Sequence, residues 1–403
     1  MNSNNIYIDP MNIPIATVVG VPYNDDGTEE YPLPPPMSPP TSSSFLNRPR
    51  KEITSRDIME LKQQGFTAGL ARALSDNTET FPLRIWVIDN SGSMMMNDGN
   101  RIVQTKSKDK VKLIQCTRWK EIQETVRYHA QLSGLLECPT QFRMLNPPNP
   151  NVGPPLFKIA HQSLKPIPEQ VREAMNVISN EVPYGVTPLT RHILEIRDYI
   201  TAELLPTLLQ CRQRVAIIIA TDGTPTNERG TGGEFEQSEF VSALRSLEGL
   251  PVWVVIRLCT DDDDVVDFYN EIDAQLEMSI EVLDDFQSEA KEVYGKNPWL
   301  NYTLSLHRCR EMGFHNKLFD LLDERPLTKG ELLDFCGLVF GAEDINGIPD
   351  PDEEWSEFVF ALKRVMQKED LNWNPNTKTV GPWIDVAKLN SIYNDEGGGC
   401  QIM

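Results

Sequence analysis

Three runs of aliphatic residues constrain this chain more than any other feature: Leu83-Arg84-Ile85-Trp86-Val87-Ile88, Val215-Ala216-Ile217-Ile218-Ile219-Ala220 and Val252-Trp253-Val254-Val255-Ile256-Arg257-Leu258. Each is the length of a strand and far short of the roughly 18 apolar residues that a membrane-spanning helix needs. None alternates with polar residues as a half-exposed strand does. Strands of this kind are buried on both faces, and that burial needs helices above and below a mostly parallel sheet. Further strand-like segments lie at 141–145, 156–159 and 280–282. Helical periodicity fills 111–136, 168–179, 189–209, 238–247 and 265–276. The expected fold class is α/β, a doubly wound, mostly parallel sheet flanked by helices, over residues 80–296.

The flanks differ in character. Ten of the 30 prolines fall in residues 1–50, with the run Ser42-Ser43-Ser44, so this stretch cannot bury enough apolar surface to offset its ordering entropy. It reads as a disordered proline-rich arm. A spacer is its commonest identity; docking on an SH3 or WW-type groove is the alternative. In 51–79, Ser55-Arg56-Asp57 can cap a helix, and Ile58, Leu61, Phe66, Leu70 and Leu74 recur near helical spacing, which predicts one amphipathic leading helix. Residues 297–390 show helical segments at 300–322, 329–340 and 355–367 and no strand alternation. Residues 391–403 form a flexible tail with three consecutive glycines.

With 38 Lys+Arg against 59 Asp+Glu the formal net charge is −21. Such a surface repels phosphate backbones, which argues against nucleic-acid binding and favours cations or basic partners. Seven cysteines without a CxxC pair suit reduced, mostly buried thiols. The first residues lack a basic n-region and an apolar h-region, so the chain is expected in the cytoplasm.

The strand at 83–88 runs directly into Asp89-Asn90-Ser91-Gly92-Ser93, placing a carboxylate and two hydroxyls at alternate positions where the strand ends. Thr187 precedes a helix in Tyr184-Gly185-Val186-Thr187-Pro188, and Asp222 follows the strand at 215–220. The carboxyl ends of parallel strands line one edge of the sheet, where ligands bind at the switch point of strand order. The five oxygen-bearing side chains should therefore converge. This DxSxS, Thr and Asp pattern resembles the metal-ion-dependent adhesion site of von Willebrand factor A domains, and the resemblance covers about 80–296. It implies a Mg²⁺ (Mn²⁺ or Ca²⁺ as substitutes) held directly by Ser91 and Ser93, with Thr187 direct or through water and Asp89 and Asp222 largely through waters. It also implies that an Asp or Glu carboxylate from a partner protein completes the shell. Without the family, DxSxS reads as a strand-ending turn held by Asx and Ser capping bonds. Neutral hydroxyls leave a hard cation short of negative charge and so able to attract an anion.

No enzyme is expected. Position 91 is Ser, so the second carboxylate of a DxDx phosphatase is missing, and Ser93 lacks the glycine of a G-x-S-x-G elbow. A metal-dependent hydrolase at the same site and a scaffold with a vestigial site are the alternatives. Asp261 to Asp264 open a helix, where carboxylates favour the N-terminus without any ligand. The cluster Glu343, Asp344, Asn346, Asp350 and Asp352 fails EF-hand spacing. His307, Cys309 and His315 approach zinc-ligand spacing but sit in an amphipathic helix, so packing is the default. The terminal Cys400-Gln401-Ile402-Met403 matches a CaaX box, with Met favouring farnesyl on Cys400. With no Lys, Arg or second Cys in 389–403, it implies only weak, peripheral membrane association at a cytosolic face.

Overall fold

The computed structural model describes residues 46, 50–104, 111–161, 165–278, 280–341, 345 and 347–394 of the 403-residue chain. Almost all of the proline-rich arm, Glu343, Asp344 and Asn346 of the polar cluster, and the tail from 395 including Cys400 lie outside the described residues. Every described residue belongs to one compact unit, Thr41–Met403.

Two helices stand where the periodicity predicts one. α1 (Ser55–Gln63) is capped reciprocally by Thr54 and Asp57, and α2 (Ala68–Thr80) by Thr67. Gly65 between them adopts φ +91°, a left-handed conformation that no continuous helix accommodates. β1 (Leu83–Ile88) follows, then the antiparallel hairpin of β2 (Gly99–Gln104) and β3 (Val111–Cys116), then α3 (Arg118–Leu136). The helix read over 111–136 is thus corrected. The Thr117 side chain accepts from the Lys120 amide, which sets the start of α3 after the hairpin.

β4 (Thr140–Met144), β5 (Leu156–Ile159) and α4 (Ile167–Asn180) come next. α5 (Leu189–Tyr199) and α6 (Leu205–Cys211) are separated by a π-helical turn at Ile200–Leu204. Pro206, in the first turn of α6, has no amide hydrogen to continue the ladder of α5, and the turn ahead of it widens. The chain continues through β6 (Val215–Thr221), α7 (Glu234–Arg245), β7 (Val252–Leu258), α8 (Asp263–Gln275), β8 (Ile280–Leu283) and α9 (Phe286–Lys296). α10 (Leu304–Glu311), α11 (Lys317–Glu324) and α12 (Lys329–Phe340) lead to helices at Trp355–Met366 and Val386–Tyr393. Between these last two lies a short hairpin, β9 (Asn372–Asn374) with β10 (Thr379–Gly381), which three-residue strands conceal from any alternation count.

The fold is mixed α/β. Six strands form one sheet in the order β5-β4-β1-β6-β7-β8, with every pair parallel except β4 and β5. Successive side chains point to opposite faces, and both faces are apolar. Ile85, Val87, Ile217 and Val254 pack against Ile193 of α5, Phe240 of α7 and Tyr269 of α8. Trp86, Ile88, Ile218 and Val255 pack against Ile122 and Val126 of α3 and Val177 of α4.

A third core joins the first and last described helices. Leu61, Leu70 and Leu74 of the leading helices share it with Leu132 and Leu136 of α3 and with Leu306, Phe319, Phe335, Leu362 and Leu389. Residues read separately as a leading helix and a helical C-terminal region thus cover each other. Arg84, inside the buried β1, reaches the Met312 carbonyl at 3.1 Å, and Arg257 of β7 pairs with Glu121 and Glu311.

Candidate metal site

β1 and β6 are neighbours with Ile88 opposite Ala220, so the residues that leave their carboxyl ends emerge side by side. From β1 the sheet extends through β4 on one side and through β6 on the other, and ligands of open parallel sheets bind outside the strand ends where that order reverses. Asp89 follows β1 directly, anchored by its amide to the Ala220 carbonyl at 2.9 Å. Its side chain is fully buried. Oδ1 accepts from the Ser91 amide at 2.8 Å and Oδ2 from the Thr221 hydroxyl at 2.7 Å.

These bonds turn the chain so that the Ser91 and Ser93 hydroxyls meet at 3.0 Å, and Ser93 Oγ donates to Asp222 Oδ1 at 2.8 Å. Asp222 is buried, and its Oδ2 accepts from Arg118 Nη1 at 3.0 Å. Ser93 is exposed, so the cluster opens to solvent there.

Thr187 arrives on a separate loop. Its amide donates to Thr226 Oγ1 at 3.0 Å, and its carbonyl accepts from the amides of Thr226 and Leu189 at 2.9 Å. Gly92 donates its amide to the Gly185 carbonyl at 3.2 Å, and Tyr184 to the Asn90 carbonyl at 2.8 Å, tying this loop to the first. Among the described contacts, then, the side chains of Ser91, Ser93 and Asp222 are linked directly, Asp89 joins them through the Ser91 amide, and the Thr187 loop joins through backbone. Gly185, at φ +84°, lies so close to Asn146 that a Cβ would sit 2.6 Å from Oδ1. Asn146 in turn donates its amide to Asn90 Oδ1 at 2.8 Å and Nδ2 to the Val186 carbonyl at 2.8 Å.

Burial, followed by the like charge of Asp222, pushes the Asp89 carboxyl up to about 6, against the hydrogen bonds from Ser91 and Thr221. Burial also raises Asp222, against the Arg118 and Ser93 bonds. Two buried carboxylates repel each other beside the Ser91 and Ser93 hydroxyls, and all five candidate donors are oxygen. That set suits a hard cation such as Mg²⁺, whose charge would relieve the repulsion, and none of the five offers the sulfur or imidazole that favours a softer metal. The residues fit the ion.

Residue types and spacing alone did not point to Arg118. It is the first residue of α3, a position hidden when 111–136 is read as one helix. Asn90 was missed as well: its Nδ2 bonds Glu181 Oε1 at 2.8 Å and the Asn146 carbonyl at 3.0 Å, bracing the motif loop.

Other candidates resolve into structural roles. Asp262 caps α8, accepting from the amides of Asp264 and Val265. His307 pairs with Glu311 at 3.3 Å, while His315 packs against Trp253 with the rings tilted at 51° and their centroids 4.1 Å apart. A carboxylate group not foreseen from the sequence, Glu289, Glu292 and Asp323, has oxygens within 4.8 Å of one another. Arg310 already supplies the cation there, pairing with Glu289, with Asp323 Oδ2 at 2.9 Å and with Glu281 Oε1 at 2.6 Å. The six described cysteines are free, and four are buried. Among the described residues no helix is long and apolar enough to cross a membrane.

No protein-family model matches the chain, and no curated protein is similar enough in sequence to match it. Solved structures that it resembles include the PilB minor pilin of Streptococcus sanguinis, at TM-score 0.34 and 9% identity, covering 51% of this chain and 57% of the pilin. A single-substitution mutant of the same pilin matches at TM-score 0.31 and 11% identity, covering 50% and 56%. The chain thus spans less than two thirds of these neighbours.

Proposed function

We propose that the chain carries a doubly wound domain of the von Willebrand factor A type that binds Mg²⁺ through Asp89, Ser91, Ser93, Thr187 and Asp222, and through that ion a carboxylate of a partner protein. Mn²⁺ and Ca²⁺ are chemically adequate substitutes. The observation that carries this reading is the hydrogen-bonded line Ser91, Ser93, Asp222 beside the buried Asp89, at the carboxyl edge between β1 and β6 and open to solvent at Ser93.

Protein binding is favoured over hydrolysis by what surrounds the cluster. Met95 and Met96, on the loop that carries Ser93, are large apolar side chains left exposed. Exposed apolar groups around a polar centre suit a protein surface. The basic group in contact with the cluster is Arg118, which is held by carboxylates and does not act as a proton acceptor at ordinary pH. Farnesylation of Cys400 would add a weak tether to a cytosolic membrane face, and the proline-rich arm a docking segment for an SH3 or WW-type partner.

Calorimetric titration of Mg²⁺ into wild type, Asp222→Ala and Thr187→Ala tests the site. Asp222→Ala should abolish binding. Thr187→Ala should weaken it modestly, because a water can replace one hydroxyl. Equal affinity in all three would remove the reading.

A further inference from the structure

Arg118 is placed against two opposing costs. It stands at the N-terminus of α3, where the helix dipole disfavours a cation, and it is only 6% exposed, which strips water from its charge. Two carboxylates hold it there. Nε and Nη2 donate to both oxygens of Asp98, at 2.8 and 2.6 Å, and Nη1 donates to Asp222 Oδ2 at 3.0 Å. The planar fork of a guanidinium allows this division, two donors to one partner and one to another.

We propose that Arg118 is the built-in counter-cation of the site: it neutralises Asp222 before metal arrives and competes with the metal for it, so that Arg118 sets the Mg²⁺ affinity. This rests on the metal-site reading of Asp222. The Asp98 pair lets Arg118 give up the Asp222 oxygen without being left bare, because Asp98 keeps two of its donors. Asp98, Glu121, Asp261 and Asp285 line a cavity of about 290 Å³ on the Arg118 side, so acidic space adjoins the released guanidinium. Arg118 is therefore a positioning residue that acts on the metal through Asp222.

The test compares Mg²⁺ affinity by calorimetry, and melting temperature in chelator, for the full chain as wild type, Arg118→Gln and Arg118→Lys. Removing the competing charge should tighten Mg²⁺ by about tenfold, or 1.4 kcal/mol, in Arg118→Gln, while lowering its metal-free melting temperature. Arg118→Lys, which keeps a charge but cannot bridge both partners, should lie between. A purely structural role would loosen binding, so the direction decides. If wild type binds Mg²⁺ and Arg118→Gln binds equally or more weakly, the inference is overturned and the metal site stands. If wild type fails to bind but Arg118→Gln binds, and adding Asp222→Ala abolishes that binding, the counter-cation role is upheld and the native Mg²⁺ site is not. Absence of binding in both removes both. Should the Gln variant not fold, the Lys variant decides by the same comparison: tighter than wild type upholds the inference, equal or weaker overturns it.

Discussion

Replacing Arg310 with Gln tests whether the C-terminal helices are part of the sheet domain or an appendage to it. Arg310 lies on α10 with its guanidinium buried, and its three partners come from different elements: Glu281 from β8, Glu289 from α9 and Asp323 from α11. Removing one side of a buried charge network costs about 3–5 kcal/mol, because the abandoned carboxylates stay out of water. Burial already holds Glu281 up to about 7 and raises Glu289 well above the carboxylate range, with Arg310 pulling both down. Without Arg310 both rise further. A carboxyl whose folded pKa exceeds its unfolded value costs stability as pH climbs from the unfolded value, near 4.5, to the folded one, and the cost is complete above it. The loss should therefore be about 4 kcal/mol at pH 8 and shrink below pH 7 as the folded state takes up protons. In melting temperature that is a drop of roughly 5 °C at pH 8 for a unit of this length. Urea unfolding at pH 8 and pH 5.5, followed by tryptophan fluorescence and circular dichroism, reads it. A loss under about 1 kcal/mol at pH 8, or one independent of pH, would refute the electrostatic account. Separate transitions for sheet and helices would refute the shared core.

Gly185→Ala should disturb the Thr187 loop, since it adds strain at φ +84° and pushes a methyl into Asn146; a loss of about 1–3 kcal/mol and weaker Mg²⁺ binding are expected by thermal melting and calorimetry, and unchanged values would show that the loop geometry does not matter to the site. In a eukaryotic cell with farnesyltransferase, intact mass should show one isoprenoid on Cys400 with residues 401–403 removed, and Cys400→Ser should leave the membrane fraction; an unmodified full-length mass would reject the CaaX reading.

The apolar runs of β1, β6 and β7 are legible because a strand buried on both faces has no polar position to interrupt it, and all six strands of the sheet occur where the pattern places them. Asp89 and Asp222 are legible for a related reason: a residue just past a parallel strand lies at the ligand-binding edge whatever its neighbours are. Boundaries were less legible. The breaks at Gly65, Thr117 and Gly313 each split a helical pattern through one backbone angle or one capping bond, while the apolar spacing runs on across them.

The partners of buried charges were not legible at all. Arg84 and Arg257 sit inside apolar strands and Arg118 opens a helix, yet their partners lie far along the chain, as Met312 does from Arg84 and Asp222 from Arg118, 228 and 104 residues away. Sequence by itself determined the six strands of the sheet and which oxygens stand at strand ends, because these follow from spacing within a few residues, whereas the two short hairpins were not legible in it. Tertiary structure alone decided that β1 lies between β4 and β6, that the first and last helices share one core, and that a guanidinium rests against Asp222. Those outcomes depend on burying apolar faces and charges that meet only after the chain has folded.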